Sequence, residues 1–146
     1  MATQIFVNLP VKNLSKTIEF FTKLDFAFNP EFTDEKAACL IIDENIFVML
    51  LTEDFFKKFT QKEISDATKS TEVILTLSAE SREKVDEMIS KVLKAGGRSP
   101  KPPQDHGWMF GRGFQDLDGH LWEVMYMDMN ALKNQSENQT ADTVKK

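Results

Sequence analysis

Apolar positions recur along this chain with two periods, and the switches between them mark out the elements. Gln4–Leu9 (QIFVNL) is a short β-rich run and predicts a strand, edged by Pro10. Asn13 or Ser15 then supplies a helix cap, and Leu14, Ile18, Phe21 and Leu24 follow at helical spacing. Asn29-Pro30 breaks the chain. Ala37–Ile42 and Ile46–Leu51 predict two strands around the turn Asp43-Glu44-Asn45. Glu53–Thr68 is polar with phenylalanines at roughly helical spacing, and reads as a connecting helix or as a helical turn with a loop.

The opening theme then returns. Glu72–Leu77 (EVILTL) predicts a strand, and Glu80–Ala95 places Val85, Met88, Ile89, Val92 and Leu93 on one helical face. Gly96-Gly97 ends that helix. Trp108–Phe114 and Leu121–Met127 predict two more strands around Asp116-Leu117-Asp118-Gly119. Setting Phe6 against Glu72 (offset 66) aligns Val7, Leu9, Val11 and Ser15 with Val73, Leu75, Leu77 and Ser81. Setting Asp43 against Asp118 (offset 75) aligns the closing strands. The order is β-α-β-β twice, with a weak extra strand per half around Ala27–Phe32 and Arg98–Lys101. Two copies of one unit in so short a chain imply an internal pseudo-twofold.

The totals narrow the class. A length of 146 residues, 41% hydrophobic and 28% charged, fits a single globular domain over residues 1–130, with repeats at about 4–52 and 70–128. The polar stretch 131–146 is expected to be a disordered tail. A net charge of -5 argues against nucleic acid or an anionic membrane as partner. The lone Cys39 lies in an apolar run and reads as a buried small hydrophobe. No signal-peptide pattern or membrane-length apolar run is present, so a cytoplasmic location is expected.

Two stretches carry a resemblance. The opening V-K-N-L followed by E-F-F-T-K-L-D-F, and the closing F-Q-D-L-D-G-H-L-W-E-V, are similar to signatures of the glyoxalase/bleomycin-resistance/extradiol-dioxygenase superfamily (the vicinal oxygen chelate fold). The resemblance spans about Gln4 to Asp128. It implies an α+β fold in which two βαβββ modules form a curved mixed sheet around a cavity. It also implies a homodimer. The superfamily's metal enzymes place one ligand on each of four strands. Carried across, those positions fall on Phe6, on or beside Val48, and on Glu72 and Glu123. At most two carboxylates remain, which hold a hard cation loosely. No cofactor is therefore expected, and a divalent metal, if held at all, would rest on Glu72 and Glu123.

Other residues are candidates for binding. Asn8 shares a strand face with Phe6. His106, in a Gly-flanked loop, is paired with Glu123 as a candidate catalytic acid and base, against the simpler reading of a surface histidine. Arg112 shares a face with Phe110 and Phe114 and could fork onto an anion if that face is inward. Trp108 and Trp122 could stack a flat ligand, although such aromatics are more often core. The preferred expectation is a small-molecule-binding protein of the glyoxalase/bleomycin-resistance kind without the usual metal site. The alternative is a lyase or dioxygenase of the glyoxalase I (lactoylglutathione lyase) type, with an atypical or metal-free site.

Overall fold

The computed structural model describes residues 1–134 and contains the two expected halves. In the first, β1 (Ile5–Val11) leads into α1 (Leu14–Lys23), followed by β2 (Ala27–Asn29), β3 (Ala37–Asp43) and β4 (Ile46–Thr52). The second repeats the series with β5 (Ile74–Ser78), α3 (Arg82–Lys94), β6 (Gln104–Asp105), β7 (Met109–Gln115) and β8 (Leu121–Met127). Each half is a four-stranded mixed sheet, ordered β1-β4-β3-β2 and β5-β8-β7-β6. In both, the first strand runs parallel to the last and the other pairs are antiparallel. The two sheets remain separate and do not close on one another.

Equivalent caps set the register of the repeat. Asn13 accepts the Lys16 N–H at the start of α1, and Ser81 accepts the Lys84 N–H at the start of α3. These caps give an offset of 68 (81 − 13), two residues more than the 66 read from sequence. The even slip keeps side chains on their proper faces but leaves Glu72 short of β5. The closing strands superpose their buried pairs, Val48 and Leu50 on Trp122 and Val124, at an offset of 74 (122 − 48), not 75. The cause is the turn. β3 and β4 join through Glu44-Asn45 with a register shift between Ile41 and Asp43, whereas β7 and β8 are joined by the longer Asp116–His120. A slip of one residue exchanges the faces of a strand.

Between the halves, only α2 (Glu53–Phe56) and a 3-10 turn at Lys57–Phe59 are helical, so the connection is a helical turn with a loop. The weak strand expected at Arg98–Lys101 is a single bridge from Arg98 to Gln115, and the pairing strand is β6. Residues 129–134 are helical, capped by Asp128, whose Oδ1 accepts the Asn130 and Ala131 N–H groups at 3.1 Å. The rest of the expected tail lies outside the described residues. No helix among the described residues is long and apolar enough to cross a membrane.

One core serves both halves. Phe20, Phe21 and Leu24 of α1 are buried together with Val85, Ile89 and Val92 of α3 and with Phe114 and Trp122. The Phe21 ring packs on Trp122 with centroids 5.3 Å apart. Cys39 is buried, as expected, and burial pushes its thiol pKa up. The end of α3 depends on two glycines for different reasons. Gly96 takes φ +99°, while Gly97 sits where a Cβ would lie 2.6 Å from Val92 Cγ1 and 2.8 Å from the Gln115 carbonyl oxygen. Gly97→Ala is therefore expected to lower stability by about 2 kcal/mol through overpacking, read by thermal unfolding.

Candidate functional site

Strand alternation gives each sheet a core side and an open side. On the first sheet, Val7, Leu9, Val48 and Leu50 turn toward the helices, while Phe6, Asn8, Phe47 and Met49 share the other face. Phe6 stacks on Phe47 with centroids 4.8 Å apart. On the second sheet, Trp122 and Val124 turn inward, and Ile74, Thr76, Leu121 and Glu123 share the open side.

Glu123 is the polar centre of that second face. Its registered neighbours are Thr76 on β5 and Gly113 on β7. The Thr76 hydroxyl donates to Glu123 Oε2 at 3.3 Å. Gly111 and Gly113 contribute no side chains, so a groove runs beside the carboxylate. Its outer wall is the loop carrying Lys101, fastened by Ser99 Oγ donating to the Gly113 carbonyl at 2.7 Å. The larger hollow here is ≈ 170 Å³, between Ile74, Leu121, Gly113 and Glu123. A carboxylate in a half-apolar groove suits a ligand offering a cation or several hydrogen-bond donors.

The other candidates are dispersed. Asn8 lies on the first sheet's open face, its Nδ2 donating to the Phe6 carbonyl at 3.4 Å. Glu72 precedes β5 and lines a separate hollow with Asn8, so the two carboxylates expected in one cavity stand in different ones. His106 is exposed in the β6–β7 turn and lines neither hollow beside Glu123. Next to it, Asp105 receives Arg82 through two bonds of 2.8 and 2.9 Å. That guanidinium and the Gly107 N–H hold the Asp105 carboxyl well below the usual range. Trp108 is half-buried, and its carbonyl accepts the Asp128 N–H at 2.7 Å.

Two candidates face the core side. Arg112 does share a face with Phe110 and Phe114, but that face lies under α3, where Arg112 Nη1 meets Asp86 Oδ1 at 3.2 Å. Its guanidinium therefore ties helix to sheet. The Trp122 ring is 1% exposed, between Phe21 and Phe114, which removes it as a stacking platform for a ligand.

The model of the Glyoxalase/Bleomycin resistance protein/Dioxygenase superfamily matches residues 4–124. The chain belongs to this superfamily. A hypothetical protein from S. aureus is 28% identical, with a TM-score of 0.74 over 86% of this chain and 95% of that one. A superfamily enzyme from Burkholderia phytofirmans is 12% identical, with a TM-score of 0.70 over 84% and 96%. The fosfomycin resistance protein FosX from Listeria monocytogenes, solved with Mn(II) and a dihydroxypropylphosphonic acid, is 19% identical, with a TM-score of 0.62 over 85% and 90%. The last two likenesses show the fold alone. No curated protein matches the chain.

The superfamily's metal does not fit the residues present here. Of the positions the resemblance implies, Phe6 is stacked on Phe47 and Val48 is buried in the core. Its open-side neighbours, Phe47 and Met49, offer no better than a thioether. Glu72 and Glu123 line different hollows, and no group of three or more His, Cys, Asp or Glu side chains suited to a metal occurs among the described residues.

The closing motif has a mechanical role that the sequence reading missed. Asp116 Oδ1 accepts the Asp118 and His120 N–H groups, both at 3.0 Å, and Oδ2 accepts the Trp122 indole N–H at 3.0 Å. Asp118 reaches across to the other half, taking the Lys12 N–H at 2.9 Å and the Thr17 hydroxyl at 3.4 Å. His120 is buried and donates from Nε2 to the Pro10 carbonyl at 2.7 Å. The D-L-D-G-H segment thus latches the second half onto β1 and α1 of the first. Glycines at alternate positions of β7, Gly111 and Gly113, were the available signal for the groove beside Glu123.

Proposed function

We propose that this superfamily member binds a small molecule on the open face around Glu123 without a resident transition metal, and that a second copy of the chain completes the cavity. The observation that carries the reading is the character of the two open faces. Phe6 on the first open face and Ile74 on the second are each 49% exposed, on strands whose opposite sides are core. Apolar strand faces of this kind mark an interface or a ligand groove. The polar groups set among them, Glu123 with Thr76 on one sheet and Asn8 on the other, are too few for a solvated surface and suited to orienting a ligand. Binding is favoured over a lyase or dioxygenase reaction because the acid–base pair that reaction would need, Glu123 and His106, is not brought together. A reducing cytoplasm suits the single buried thiol.

One preparation tests the reading. Protein purified without chelator should carry far less than one transition metal per chain by elemental analysis, and should scatter light as a dimer that Ile74→Lys dissociates. Donor-rich small molecules that raise its melting temperature should lose that effect in Glu123→Gln, with the unliganded melting temperature unchanged. Near-stoichiometric metal, or binding indifferent to Glu123, overturns the reading.

A further inference from the structure

A second hollow, apart from the groove beside Glu123, lies where the two halves meet. It has a volume of ≈ 300 Å³, at the small end of ligand pockets, which suits a molecule of one or two rings. β1 contributes Leu9 and Pro10, the start of β8 contributes His120 and Leu121, and the inter-half loop 60–73 forms the roof. We propose that this junction hollow binds a small organic amine with an apolar body.

The roof is built in advance of any ligand. Asp66 Oδ1 accepts the Thr68 N–H at 3.0 Å and the Thr68 hydroxyl at 2.6 Å, and the Asp66 carbonyl accepts the Lys69 and Ser70 N–H groups at 3.0 Å. These bonds fold the loop into a tight turn. The turn rests on Gly119, which takes φ +87°, and a Cβ there would meet the Ala67 carbonyl oxygen at 3.0 Å. The glycine of the closing motif therefore lets the roof approach the floor. A preformed site spares the ligand the cost of ordering a loop.

The lining states the ligand's chemistry. Ile64, Val73 and Leu121 supply an apolar wall for a ring or a branched chain. Glu63 and Glu72 face Lys62 alone, an excess of one negative charge, so a cation is preferred to an anion. His120 adds direction. Its Nε2 is committed as donor to the Pro10 carbonyl, and among the described residues its other ring nitrogen has no hydrogen-bond partner. In the neutral ring that nitrogen is an acceptor, matched to an ammonium or hydroxyl donor. The same bond fixes the ring in the hollow's wall. Asn8 borders both this hollow and the first open face, but Glu123 does not line the hollow, so variants at Glu123 separate this site from the groove beside it.

Tryptamine, tryptophol and indole-3-acetate, which share one ring system and differ in charge, are the probes. Each is titrated into the ¹⁵N-labelled full chain, with amide shifts recorded. Tryptamine should bind more tightly than the alcohol, and the alcohol more tightly than the acid, with perturbed amides at 8–10, 62–73 and 119–121. Glu63→Gln/Glu72→Gln should weaken tryptamine about five-fold, as expected for losing a pair of partly exposed charges, and leave tryptophol unchanged. Thr71→Trp, which fills the hollow from its exposed loop, should abolish binding of the probes with the spectrum otherwise retained, whereas Glu123→Gln should leave their binding intact. The proposal is overturned if no probe shifts these amides, if the acid binds as well as the amine, or if the shifts fall around Glu123 and Gly113 instead.

Discussion

Replacing Trp122 by alanine is expected to cost about 4 kcal/mol of folding stability, read as a shift of the urea midpoint at unchanged slope. The ring is 1% exposed, stacked at 6.0 Å on Phe114 of its own sheet and packed at 5.3 Å on Phe21 of α1. It packs the second sheet against the first helix, so the cavity left would lie between the halves rather than inside one of them. Neither side can close over it without moving the other. The loss also orphans one Asp116 oxygen, because the indole N–H is its partner. Trp122→Phe keeps most of the volume and should recover more than half of the loss. If Trp122→Ala cost less than about 0.5 kcal/mol, the range of ordinary surface substitutions, the two halves would not share a core in solution.

The fold was legible because each half carries its own periodicity. Leu14, Ile18, Phe21 and Leu24 describe the buried stripe of α1, and the second helix repeats it in Val85, Ile89 and Val92. What pattern alone could not supply was register. Nothing in the run QIFVNL says where in the strand the repeat begins, and the caps Asn13 and Ser81 just ahead of the helices locate it better than β-rich letters do. The bulge near Ile41–Asp43 is a geometric event without a glycine or proline to announce it, and it moved the expected ligand position onto Val48 in the core. The site was legible to the same degree. Glu123 lies on the open face that the closing motif implied, because that motif fixes the turn and therefore the phase of β8. Glu72, Arg112 and Trp122 depended on which side of a strand or how far along it they stood, and each proved to be elsewhere. Asp116 and His120 were passed over because a turn sequence reveals its own backbone, not the other half it grips.

Asp116→Ala tests that grip, with an expected loss of about 3 kcal/mol, of the size seen when one member of a buried charged network is removed. Three N–H donors, from Asp118, His120 and the Trp122 indole, would lose their acceptor, and the last two bonds are buried. Asp116→Asn should cost about half as much: its oxygen still serves the two backbone donors, but its amide meets the indole N–H donor to donor. The pH dependence follows from burial, which pushes the Asp116 carboxyl above the usual carboxylate range against the pull of His120, the indole and the Asp118 N–H. A carboxyl raised in the folded state binds its proton more tightly there than in the unfolded chain. Its stabilising share is therefore complete below the unfolded value, near 3.8, and is lost as the pH climbs through the raised one. The penalty for Asp116→Ala, from urea titrations at pH 4 and pH 8, is thus expected to be larger at pH 4. Because Asp118 and His120 carry the contacts to Lys12, Thr17 and Pro10, the variant should also speed amide exchange in β1 and at the start of α1. A loss confined to the β7–β8 turn, with β1 protected as before, would show that the motif shapes its own hairpin and does not hold the halves together.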